Sequence, residues 1–217
     1  HDEERVIYKA LNYGNSNGNY NVKNLNISLE RLKSVGSILF LLPGPKMIWQ
    51  FGEMGYDISI DYNGRLGRKP IKWNYVKEIN RKNIYKTWSY LIGLRKKHSI
   101  FSDPQSKIDT WLNSSIKKIQ YSLGEENAIL ITNFDVKTLQ TSVSLPSAGH
   151  WHHATLGEKI YIEDNELDVS IPAGTFLLMT DFEIDYLPKG KAKLSVEEII
   201  IPKSLKLHSN YPNPFNS

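Results

Sequence analysis

The chain has 217 residues, no cysteine, 40% apolar residues, 23% charged residues and a formal charge of +4. That length suits one large domain or two small ones, and it can bury a core without staples. The apolar fraction, the 14 glycines and the lack of cysteine exclude a disordered, collagen-like or disulfide-rich chain.

The longest apolar run, Ile38 to Leu42, is far short of the roughly 20 residues that a membrane span needs. No signal peptide opens the chain, and residue 1 is histidine rather than methionine. Two readings follow: a leader was removed, or the sequence is a piece of something longer. Basic residues cluster at Arg95-Lys96-Lys97 and at Lys189, Lys191 and Lys193. The first cluster ends a predicted helix, where cations complement the dipole. It reads as a solvated terminus, and the chain carries no motif for a nucleic-acid partner.

Residues 1–22 are polar and read as loop. The stretch Tyr13-Gly14-Asn15-Ser16-Asn17-Gly18-Asn19 is turn chemistry. Leu25, Leu29, Leu32, Val35, Ile38, Leu39 and Leu42 then recur at helical spacing. Asn24, Asn26 and Ser28 are candidate caps, and Pro43-Gly44-Pro45 stops the helix. Met47-Ile48-Trp49 reads as a short apolar strand that empties into the glycine-punctuated loop Phe51 to Asp57. A long polar loop runs from Asp61 to Pro70. Ile84, Tyr85, Trp88, Leu91, Ile92 and Leu94 predict a second helix over about 81–97.

After Gln105 the helical signal ends. Strands are predicted at 116–122, 128–133, 139–145, 159–163, 167–171 and 175–180, separated by turn residues. That spacing points to a small antiparallel sandwich. His150-x-His152-His153 places His150 and His152 on one face of a strand, and imidazoles bind zinc. No third ligand lies nearby, so the run reads as a surface strand and no metal is expected.

The series His1-Asp2-x-x-Arg5, then a helix, then Pro43-Gly44-Pro45-Lys46-Met47-Ile48-Trp49-Gln50-Phe51-Gly52-Glu53-x-Gly55 resembles the end of the catalytic barrel of the α-amylase family, glycoside hydrolase family 13. Arg68-Lys69-Pro70-Ile71-Lys72-Trp73 is similar to a stretch that follows in many members. Within the β-rich part, His150-Trp151 to Gly157-Glu158 and then Ile171 to Phe176 resemble the closing hairpin of the domain after the barrel.

The resemblance implies an α/β plus all-β fold: the last part of a TIM (β/α)8 barrel over 1–104, then an antiparallel β-sandwich over 105–202. It implies that Asp2 is the third catalytic carboxylate and stabilises the transition state. It implies that His1 hydrogen-bonds the sugar, that Arg5 supports through an ion pair, and that Glu53 lies behind the sugar-contacting groups. Trp49-Gln50-Phe51 stand where many relatives have tyrosines. The implied substrate is an α-1,4-glucan such as starch or glycogen, as polysaccharide or oligosaccharide, and the implied reaction is retaining hydrolysis. A branching enzyme of the same family is the alternative. The nucleophile and general acid would lie outside this sequence, so the fragment alone is expected to be inactive. No cofactor is implied here, with calcium left open for the full-length enzyme.

Asn210-Tyr211-Pro212-Asn213-Pro214-Phe215-Asn216, within the tail 203–217, resembles the start of a type IX secretion C-terminal sorting domain. The resemblance implies contact with the secretion machinery and a secreted or cell-surface protein. A non-catalytic reading also stands: the β part as a carbohydrate-binding or packing module. Exposed Trp111, Tyr121 or Trp151 would favour sugar binding, and burial of these rings would favour packing.

Overall fold

The computed structural model describes residues 3–187, so Asp2, His1 and the tail from 188 onward lie outside the described residues. Three α-helices, α1 (Val6–Tyr13), α2 (Leu25–Leu41) and α3 (Ile79–Lys97), form one layer. The sequence reading missed α1. Eight residues are too few to hold a helix in water. Ile7, only 1% exposed and joined to the same buried cluster as Leu29 and Ile84, supplies the stabilisation from outside the helix.

A two-residue hairpin, β1 (Ser16–Asn17) with β2 (Tyr20–Asn21), follows and turns at Gly18 with φ +55°. Of the three candidate caps of α2, Asn24 does the work. Its side chain accepts from the Asn26 and Ile27 amides at 2.9 and 3.4 Å. α2 and α3 approach so closely at Gly36 that a β-carbon there would lie 2.1 Å from the Trp88 indole nitrogen. That nitrogen donates to the Leu32 carbonyl at 3.1 Å.

The predicted strand at Met47–Trp49 is a correction. The segment takes no regular secondary structure, and among the described residues no strand pairs with it. An apolar run is necessary for a buried strand, but only a neighbour makes it one. Met47, Ile48 and Trp49 are therefore 62%, 40% and 41% exposed.

After a short 3-10 turn at Ser99–Phe101 come eight further strands: β3 (Lys107–Trp111), β4 (Ile116–Leu123), β5 (Glu126–Asn133), β6 (Leu139–Ser144), β7 (Gly149–His153), β8 (Glu158–Ile162), β9 (Glu166–Ile171) and β10 (Phe176–Thr180). All pairings are antiparallel, as expected. The large sheet has the order β3-β4-β5-β10-β7-β8, and β6 and β9 form a second sheet. β3 escaped the sequence reading because it is a largely exposed edge strand with no apolar alternation.

The large sheet is covered on both faces. Ile129, Ile131, Leu177 and Met179 face β6 and β9, with Trp151 and Leu167 in the same cluster. Ala128, Leu130, Phe176 and Leu178 face the helices. This explains why β5 and β10 read as continuous apolar runs rather than alternating ones. The cluster under the helices is shared: Phe40, Leu91 and Phe101 pack with Ile119, Tyr121 and Leu130 across the turn at 101–106.

Polar ties reinforce it. The Arg31 guanidinium donates to the Phe134 and Asp135 carbonyls at 2.8 and 2.9 Å, and the Ser34 hydroxyl to the Gly174 carbonyl at 2.7 Å. Arg95 is also more than a solvated cation. It donates to the carbonyls of Phe40, Leu42 and Phe101, which end α2 and the 3-10 turn.

Candidate functional site

Of the described residues singled out by sequence, Arg5 and Glu53 lie at one end of the helical layer. Gly55 fixes the geometry. It has φ +69°, and a β-carbon there would lie 2.4 Å from Leu29, 3.3 Å from Ile84 and 3.4 Å from Ile7. Those three residues sit in the first two turns of α2, α3 and α1. The loop after Trp49 is thus wedged among three helix starts, where partial positive charge favours carboxylates.

Glu53 lies in the 3-10 turn Gly52–Met54 of that loop and is half-buried. It makes no hydrogen bond to another described residue. Phe51, just before it, has φ +55° and packs with Tyr56 and Tyr75, and its ring meets Trp73 edge-on at 5.0 Å. Trp73 itself is 72% exposed.

Arg5 is half-buried and precedes α1. Its guanidinium lies 4.8 Å over the Trp49 ring and donates to the Glu3 carbonyl at 3.3 Å. It forms no ion pair with a described residue.

Two residues that sequence reasoning passed over hold this end together. Glu4 accepts from the Ser59 hydroxyl at 2.7 Å and from the amides of Ile60 and Arg5 at 2.8 Å each. Burial acts to raise its carboxyl, but these three hydrogen bonds outweigh it and the carboxyl is lowered.

Arg81 is 2% exposed. Its guanidinium donates to the Met54 and Gly55 carbonyls at 3.1 and 2.5 Å, to Asp57 at 2.8 Å and to Glu78 at 2.7 Å. It also lies 3.7 Å over the Tyr75 ring, and the Tyr75 hydroxyl donates to Asp57. Burial first, then the neighbouring Asp57, pushes the Tyr75 phenol far up, so it stays a donor. The available signal was an arginine at a helix start, three residues after Glu78 and facing the glycine loop, which has the spacing of a tethered cation.

The loop from Tyr62 to Pro70 closes on itself. The Lys69 ammonium donates to the carbonyls of Tyr62, Gly64, Arg65 and Gly67 at 2.7–3.3 Å. The Tyr56 hydroxyl and the Gln50 amide both donate to the Pro70 carbonyl, at 2.6 and 3.2 Å. They fasten this loop to the one that carries Glu53.

The other candidates separate. Tyr121 and Trp151 are fully buried, so these two rings pack rather than meet solvent, while Trp111 is 48% exposed. His153 is fully buried, whereas His150 and His152 point outward. Among the described residues no group of three His, Asp or Glu side chains is placed to hold a metal. No helix among them is long and apolar enough to cross a membrane.

The same architecture occurs in solved structures. An α-amylase from Anoxybacillus matches over 77% of this chain and 36% of its own, with TM-score 0.55 and 16% identity. A debranching enzyme from Nostoc punctiforme matches over 82% and 34%, with TM-score 0.54 and 15% identity. AmyP in complex with maltose matches over 71% and 35%, with TM-score 0.55 and 15% identity. This chain spans about a third of the length of each of these structures. No family profile matches the chain, and no curated protein is similar to it in sequence.

Proposed function

We propose that this chain is the C-terminal part of an α-amylase-type glycoside hydrolase that acts on α-1,4-glucans by a retaining double displacement. The observation that carries the reading is the fit of helices and sandwich together to amylase and debranching folds. The loop that this fold wedges among the helix starts is the one that bears Glu53.

In this reading segment 45–49 becomes the last barrel strand only by pairing with preceding strands of the same polypeptide, which also cover its exposed apolar side chains. Asp2 stabilises the oxocarbenium-like transition state, and His1 orients the sugar. Arg5 and Glu53 are the supporting residues of this reading, behind the sugar-contacting groups. Residues 207–216 serve export to the cell surface or beyond.

The test uses the protein expressed with its upstream coding region. The intact enzyme cleaves amylose, and Asp2→Asn lowers the rate by at least about a thousandfold, on the scale of lost transition-state stabilisation. The 217-residue chain alone releases no reducing sugar. A near-normal rate in Asp2→Asn, or hydrolysis by the chain alone, overturns the reading. Chain-length analysis of the products separates hydrolysis from transfer to another sugar.

A further inference from the structure

The helix layer does not cover the whole of the large sheet. Along β7, Trp151 and His153 are buried, whereas His150 is exposed and His152 half-exposed on the opposite face. That is the face the helices cover further in, where Ala154 joins their cluster. The cross-strand partners of His150 and His152 are Tyr161 and Lys159 on β8, the edge strand.

Four rings therefore stand in one strip. The His150 and Tyr161 rings meet edge-to-face at 5.1 Å, and Tyr161 is 58% exposed. Two residues along the strand, about 7 Å on, His152 packs against Tyr186, with ring centroids 6.3 Å apart and the imidazole Nδ1 3.3 Å from the phenol oxygen. Tyr186 is 39% exposed. Lys159 beside them is exposed and makes no ion pair with a described residue.

The chemistry of this strip is mixed. Ring faces offer apolar area, while phenol hydroxyls, imidazole nitrogens and an ammonium offer donors and acceptors around it. A purely apolar partner would leave those polar groups unpaired at a cost. A sugar has the matching surface: C–H faces for the rings and a rim of hydroxyls for the polar edges.

We propose that His150, Tyr161, His152 and Tyr186 form a glucan-binding platform on the sandwich. It is separate from the rim that carries Glu53. Its ligand is a linear α-glucan whose sugar rings lie along the strip. The choice of α-glucan rests on the function proposed above, whereas the site rests on the rings alone. Of the aromatic residues that the sequence offered for sugar binding, Tyr121 and Trp151 are inside the core. Tyr161 and Tyr186 take that role here.

The 217-residue chain tests this directly, because a binding signal there does not require cleavage. Maltoheptaose is titrated calorimetrically, and the chain is run through amylopectin gels. The expected result is binding that weakens by about tenfold in Tyr161→Ala, the loss of one stacking partner, with unchanged thermal unfolding. The double variant Tyr161→Ala/Tyr186→Ala loses the retardation altogether. Unchanged affinity in these variants places any binding elsewhere and overturns the platform. Lack of binding to every glucan and to a panel of other polysaccharides also overturns it. Binding of a different polysaccharide that is still lost in Tyr161→Ala keeps the platform and overturns the α-glucan reading instead.

Discussion

The sandwich and the Glu53 end of the helical layer are built by different means. Between the two sheets of the sandwich, apolar side chains from both meet in a sealed core: Trp151, Ile129 and Met179 are fully buried. At the Glu53 end, nine of the sixteen large apolar residues that remain exposed among the described residues fall between Met47 and Ile79. Order there depends on single polar groups, with Arg81, Glu4 and Lys69 each tying several carbonyls or amides. Packing spreads stability over many contacts, whereas a tethering charge concentrates it in one side chain. The first kind of region resists local change. The second can be shaped loop by loop.

The largest expected effects set these two designs against each other. Trp151→Ala removes a fully buried ring and its hydrogen bond to the Ser147 carbonyl. It should cost about 4 kcal/mol and lower the whole unfolding transition. Arg81→Met keeps the bulk but strands Asp57 and the Met54 and Gly55 carbonyls. It should cost about 3 kcal/mol, and amide exchange should rise first at residues 51–57. Denaturant melts with residue-resolved exchange separate the two. If Arg81→Met accelerates exchange evenly in β5 and β10 as well, the contrast between the regions collapses.

That contrast also explains what was legible in the sequence. α2 and α3 announce themselves through periodic apolar faces, and six strands through short apolar runs between turns. These are the packed parts, where pattern and burial coincide. α1 was hidden because its stabilising contacts, around Ile7 and Gly55, come from residues far along the chain. β3 was hidden because an edge strand needs no apolar face. Met47–Trp49 has strand composition, but a strand also needs a partner. At the site end, the motif Gly52-Glu53-x-Gly55 was visible, but Arg81 and Glu4 were not. Their importance lies in which carbonyls and amides they reach, and a single sequence does not record that.

A smaller effect comes from pH and acts on the sealed region. His153 is fully buried, and its Nδ1 accepts from the Leu156 amide at 3.1 Å. Burial pushes its imidazole down to about 4. His98, half-buried against Phe182, is lowered by burial and then by Lys97. At His153 the unfolded chain therefore binds more protons than the folded one between pH 6.5 and about 4, and His98 acts in the same direction. The His153 contribution is full above the unfolded value near 6.5 and is lost as pH falls toward 4. Up to about 3 kcal/mol is at stake at His153. Denaturant melts at pH 7 and pH 4.5 should show that loss, and His153→Gln should flatten it. An equal pH dependence in His153→Gln would assign the effect to other groups.

The smallest effect tests whether the tethered loops are independent of the core. Lys69 sits among four carbonyls of its own loop, where Asn63 and Gly64 adopt φ +56° and +74°. The Tyr56 hydroxyl and the Gln50 amide fasten the end of the loop at the Pro70 carbonyl. Lys69→Met keeps the stem and removes the ammonium. Because the loop is largely exposed, water can replace the lost donors, and the expected cost is about 1 kcal/mol or less. The melting temperature should move by no more than about 2–4 °C. The amides of Gly64 and Gly67, which donate to the Asp61 and Gly64 carbonyls, should exchange faster, while those of α2 and β5 stay as they were. A fall of more than about 5 °C would mean that this loop carries load for the three-helix wedge around Gly55, and that the open end is as cooperative as the sandwich.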